Sequence, residues 1–186
     1  MTDTPLIDSE KVLEFWFAET TQPFWFQATP AFDQALRDRF LSTYQAAANG
    51  ALTDWQQTPR GALALVIMLD QFPLNMFRGQ VESFATESAA REVADLALAR
   101  GFDRNMTSQE KMFMYLPFMH SETLIDQDWS VRLFEELGLE KSTNFALHHR
   151  ALIARFGRFP HRNSILGRPS TSEEIAYLAS TEAFHG

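Results

Sequence analysis

Thr29–Gly50 reads TPAFDQALRDRFLSTYQAAANG, and this stretch decides the fold class. Thr29 followed by Pro30 is a capping residue before a proline at the first helical position, where the missing N–H costs nothing. Phe32, Leu36, Phe40 and Tyr44 then recur every fourth residue, which keeps them on one face of a helix. Asn49–Gly50 ends the run. The same punctuation recurs along the chain. Asp8 or Ser9 opens a helix carrying VLEFWF, and Thr58–Pro59 opens a buried, nearly unbroken apolar one. That helix is expected to end near Phe72, because Pro73 disfavours helix in the residue before it. Thr86–Arg100 is alanine-rich and closed by Gly101. Thr107 and Glu110 form a capping box for the next helix, which Pro117 breaks or kinks. Ser121 or Thr123 starts another, running to Gly138. A basic helix begins near Ser142 or Thr143 and stops at Gly157, and Thr171 with Glu174 caps the last. Valine and isoleucine number only 11 together, and no segment alternates with period two. The expectation is an all-α chain, one domain over residues 1–186, with roughly eight antiparallel-packed helices.

Composition narrows the setting. The chain has 186 residues, 45% hydrophobic and 22% charged, with a net charge of −8. No cysteine is present, which removes disulfides, thiolate metal sites and a cysteine nucleophile together. The start, MTDTPLIDSE, shows no secretory pattern, and the longest apolar run, Ala62–Leu69, is too short to cross a bilayer. A cytoplasmic protein with no membrane partner is expected. The acidity argues against nucleic acid, whose phosphates would be repelled over most of the surface.

The charge is unevenly spread. From Lys141 to Ser172 there is no Asp or Glu, yet the window holds six of the sixteen basic residues and three of the five histidines. The net charge thus splits into about +6 here and about −14 elsewhere. On the basic helix, Phe145, His149, Leu152, Ile153 and Phe156 share an arc of about 100°. After Gly157, Arg158, His161 and Arg162 follow on a loop stiffened by Pro160. Arginine captures carboxylate or phosphate in a bidentate grip, and histidine changes charge near neutral pH. The plainer alternative is a basic helix neutralised by ordinary ion pairs.

Two more constellations carry polar chemistry. Asp70 and Gln71 close an otherwise apolar helix, with Asn75 and Arg78 beyond them, where an unpaired polar group would be costly. His120, Ser121 and Glu122 follow Pro117, and offer either an acid–base group or a capped helix start. No GxSxG elbow, Gly-rich phosphate loop or dinucleotide fingerprint is present. His120, Glu122, His149, His161 and Asp70 are metal-ligand types without diagnostic spacing, among arginines that repel cations, so neither metal nor cofactor is expected. The clusters Phe15-Trp16-Phe17 and Phe24-Trp25-Phe26 read as core or pocket wall.

HRALIARFGRFPHRNSILGR, LDQFPLNMFRG and LPFMHSE resemble a bacterial family known as domain of unknown function 924, and the likeness runs from VLEFWF to STSEE. The resemblance implies a single all-α domain of tetratricopeptide-like shape and supplies no activity. It aligns His149, Arg150, Arg155, Arg158, His161, Arg162 and Asn163 with the family's motif. Leu74 stands where the family's DQFPRN motif has arginine, so an anion contact from that side chain is lost or replaced.

Two functions follow. In the first, a pocket between helices binds, and can turn over, an anionic small metabolite. His120, His149, His161 and Asp70 would be the catalytic groups, with Gln71, Arg78, Glu122, Arg155, Arg158, Arg162 and Asn163 holding the substrate. In the second, a tetratricopeptide-like array clamps an acidic peptide with its arginines.

Overall fold

The structure, a computed structural model, describes residues 6–184. The first five residues of the MTDTPLIDSE reading lie outside them. Among the described residues there are eight α-helices, five short 3-10 turns and no strand: α1 Ser9–Trp16, α2 Pro30–Ala48, α3 Pro59–Met76, α4 Glu87–Ala99, α5 Ser108–Met119, α6 Leu124–Leu137, α7 Glu140–Phe156 and α8 Ser172–Leu178. The all-α expectation holds, and no helix is long and apolar enough to cross a membrane.

Local chemistry sets most boundaries. Asp8, Thr29, Thr58, Thr123 and Thr171 each accept a backbone N–H two or three residues into their helix. Both expected capping boxes form: the Thr107 amide donates to Glu110 Oε2 at 2.8 Å, and the Thr171 amide to Glu174 Oε2 at 2.7 Å. Gly157 ends α7 in the left-handed region at φ 69°, which only glycine enters freely.

Two boundaries differ from expectation. Helix α3 runs four residues past Phe72, through Pro73, to Met76. Proline deprives the Leu69 carbonyl of its usual donor, and Thr86 Oγ1 supplies one instead at 2.6 Å. Helix α7 starts at Glu140, ahead of Ser142, directly after Leu139, with no side-chain cap at its start. Its acidic first residue suits the positive end of the helix dipole. Pro117 lies within α5, which extends two residues beyond it.

The chain forms two compact units. The first comprises residues 1–78 and 82–117, with α3 packed against α1, α2 and α4. Its core is aromatic: Phe72 lies 5.4 Å from Trp16 and 5.0 Å from Phe40, ring centre to ring centre. Trp25 stacks on Trp16 at 6.4 Å; of the two aromatic clusters Trp16 is core, Phe15, Phe17, Phe24 and Trp25 are partly buried around it, and Phe26 is exposed. The second unit comprises residues 79–81 and 118–186. Here α6 and α7 form an antiparallel hairpin, turning at Gly138. Leu152, Ile153, Phe159 and Tyr177 make a smaller core that joins α7 to the following loop and α8.

Candidate functional site: an imidazole cluster

The apolar arc of α7 turns His149 inward with Leu152 and Ile153, as its spacing predicts. Phe145, placed on the same arc, is about half exposed instead. Its backbone matters more than its ring. His149 Nδ1 lies 2.8 Å from the Phe145 carbonyl. A carbonyl only accepts, so Nδ1 carries the proton and Nε2 is left as an acceptor. Burial drives the His149 pKa from 6.5 down to about 3. The Phe145 carbonyl opposes that shift, while His120, His148 and His161 add to it through charge repulsion. At neutral pH this ring is uncharged.

Other rings enclose it. Phe159 lies 5.3 Å away and Phe184 4.8 Å, both close to edge-to-face. His161 packs on Phe159 at 5.6 Å and on Phe184 at 5.1 Å. The buried Arg162 guanidinium lies 4.7 Å over the Phe159 ring, a cation–π arrangement. His120 sits on the turn after α5, and that turn is pinned. Gln127 Nε2 donates to the Met119 and Ser121 carbonyls, each at 2.7 Å. Ser121 Oγ donates to Asp126 at 2.5 Å, so the serine is part of the turn and the start of α6. The structure thus gathers His120, His149, His161 and Arg162 in one unit from residues 42 positions apart in the chain.

Several polar residues of this unit pair with one another. Arg158 grips Glu174, with Nε and Nη2 at 2.7 and 2.8 Å. Hydrogen bonds from Arg158 pull the Glu174 carboxyl down to about 2 despite its burial, helped by the Thr171 amide and Asn163. Arg168 grips Glu122 at 2.6 and 2.9 Å, and Glu122 also accepts the Phe159 amide at 2.8 Å. Burial alone would raise the Glu122 carboxyl, but Arg168 and that amide outweigh it and the net shift is downward. Asn163 is buried, accepts from Arg168 and donates to Ser170. Arg155 pairs with Glu173, and Arg150 with Asp128. Glu122, Arg158 and Asn163, read from sequence as substrate ligands, thus pair within or onto the loop after α7. Arg158 commits Nε and Nη2 to Glu174, whereas Arg155 gives Nε alone to Glu173 and stays half exposed.

In the first unit, Asp70 and Gln71 lie inside α3, because the helix outruns Pro73. Gln71 Nε2 donates to Asp70 at 2.6 Å, and both are buried. Arg78 pairs with Asp33 at 2.9 Å and donates to Asn75 at 3.0 Å. A cavity of about 410 Å³ in this unit is edged by Arg60, Leu63, Phe102 and Glu110. Arg60 there is already bound to Glu10 at 2.7 Å, and no histidine lines the cavity. The imidazole cluster carries the richer chemistry. Among the described residues no three His, Asp or Glu side chains are placed to hold a metal ion.

Sequence reasoning passed over Gln127, Phe159 and Phe184, and read Glu174 only as a helix cap, not as the partner of Arg158. Phe159 stood within the quoted motif as a spacer, whereas Phe184, 35 positions from His149, gave no signal.

No curated protein matches the chain. The solved structure of a protein of unknown function from Agrobacterium tumefaciens is similar, at 40% sequence identity and a TM-score of 0.88. The match covers 92% of this chain and 96% of that one. Residues 12–182 match the family described as bacterial protein of unknown function, DUF924, and the chain belongs to that family.

Proposed function

We propose that the protein binds a small anionic metabolite at the imidazole cluster, as one cytoplasmic domain. The observation that carries this reading is His149: buried, uncharged, and fixed so that Nε2 accepts. Burying an imidazole in this state is costly as packing alone, and useful where a ligand N–H or O–H must be met. His120, His161 and Arg162 supply groups that can bear positive charge beside it.

Magnitudes divide the roles. A pKa of about 3 lies some four units below neutrality, so lodging a proton on His149 costs about 5 kcal/mol. His149 therefore orients the ligand, and any proton transfer falls to His120 or His161. The engaged arginines at positions 155 and 158 stand outside this reading, as do Asp70, Gln71 and Arg78.

A second reading has one observation in its favour. Ile125 and Trp129, one turn apart on α6, lie exposed, Ile125 at 80%. Such an exposed apolar pair suits a tetratricopeptide-like module that docks a peptide.

Thermal unfolding against phosphorylated and carboxylated metabolites separates the two. A ligand at a hundred times its dissociation constant adds about 2.7 kcal/mol, which shifts the midpoint visibly. The metabolite reading predicts a hit in wild type that is lost in His161→Gln and kept in Ile125→Ser. No hit at millimolar concentration, with wild type folded, sinks it.

A further inference from the structure

We infer that the Phe184 phenyl stands in for a ring of the ligand: the slot formed by His148, His149 and His161 takes an aromatic anion, and the segment from Ser180 to Phe184 is a strap that must lift to admit it. This rests on the metabolite reading above and names its ligand class.

The geometry is that of an occupied ring site. Phe184 meets His149 at 4.8 Å, His161 at 5.1 Å and His148 at 6.1 Å, with interplanar angles of 65°, 80° and 61°. Edge-to-face contact at such separations is the preferred packing of aromatic rings. What sets this phenyl apart from the aromatic core is that three of its ring neighbours are imidazoles, which carry polar ring nitrogens. Its floor is the small core of Leu152, Ile153, Phe159 and Tyr177.

Walls and occupant are held differently. His148 and His149 belong to the seventeen-residue α7, and His161 to the short turn begun by Pro160. The occupant follows α8 on an irregular segment. The Phe184 amide donates to Tyr177 Oη at 2.8 Å, the Ala183 amide to the Ser180 carbonyl at 3.3 Å, and the Glu182 amide to Ser180 Oγ at 3.3 Å. Lifting the strap thus breaks a few single hydrogen bonds and leaves the walls standing. A ring entering the slot recovers the aromatic contacts. An anionic group attached to it would lie beside His120, His161 and Arg162.

The test uses phenyl phosphate and inorganic phosphate as probes, titrated calorimetrically into wild type, Phe184→Ala and Tyr177→Phe. Phe184→Ala empties the slot. Tyr177→Phe keeps the ring but removes the hydroxyl that fastens the strap, and serves if the first variant fails to fold. Phenyl phosphate should bind Phe184→Ala about tenfold more tightly than wild type, and Tyr177→Phe a few-fold more tightly, since the Phe184 ring is then absent from the slot or held in it less firmly. Inorganic phosphate should bind all of them alike. If inorganic phosphate binds while phenyl phosphate gains nothing in either variant, the ring slot is overturned and the anion site stands. If neither probe binds any of the proteins, both readings fall.

Discussion

Thr86 Oγ1 donates to the carbonyl of Leu69 at 2.6 Å, across seventeen positions of chain. Leu69 is the residue four before Pro73, so its carbonyl is the one that the proline ring leaves without a helical donor. Both residues are buried. Valine at position 86 keeps the shape and removes the donor, leaving a buried carbonyl unmet at a cost of about 1–3 kcal/mol. In a Pro73→Ala background the helix regains its own N–H, and Thr86→Val should then cost clearly less. Urea unfolding of the four proteins measures the coupling, and equal costs in both backgrounds would refute the account.

Acid should weaken the fold well above the carboxylate range. His149 titrates near 6.5 unfolded and about 3 folded, so between those values the unfolded chain binds the extra proton. Its stabilising contribution is complete above pH 6.5 and falls by about 1.4 kcal/mol per unit as pH drops towards 3. His149→Phe should flatten that slope in unfolding free energies measured from pH 7 to 5. An unchanged slope means that His149 is not the group responsible.

Glu122 ties together segments 37 and 46 positions away, through the Phe159 amide and Arg168. Glu122→Gln keeps the shape but loses the charge and one acceptor, and should cost about 2 kcal/mol at pH 7. The Glu122 carboxyl is lowered in the fold, so its contribution is present above its ordinary value of 4.5 and lost below it. The gap between wild type and variant should therefore narrow on acidification through that range. A gap constant with pH would assign the loss to packing.

At Gly157, φ is 69° and a methyl group would meet nothing within 4 Å. The penalty for alanine is purely one of backbone, about 1–2 kcal/mol. Chemical denaturation should show Gly157→Ala destabilised by that amount, and Gly157→Asn by less, because asparagine tolerates the left-handed region. Equal losses would contradict a backbone origin for the penalty.

What could be read in advance followed the range of the interactions. Caps at Thr29, Thr58, Thr107 and Thr171 depend on neighbours within one turn, so residue order suffices. The inward turn of His149 followed from periodicity alone. The end of α3 was misplaced because the group that rescues Pro73 comes from the start of α4. The partners of the arginines were hidden in the same way. The window from Lys141 to Ser172 has no acid, yet four of its six cations pair with Glu122 and Asp128 before it and with Glu173 and Glu174 immediately after it. A local charge imbalance was thus neutralised by tertiary pairing. Phe184 closes the cluster from a segment whose sequence carries no periodic signal.

Nitrogen-detected NMR of the histidine side chains tests the central claim most directly. The account predicts that His149 stays in the Nδ1–H form from pH 8 to pH 5. It also predicts that phenyl phosphate added to Phe184→Ala shifts the His120, His149 and His161 resonances in one saturable transition. A His149 signal that titrates near pH 6.5, or a saturating ligand that leaves all three resonances unmoved, would contradict it.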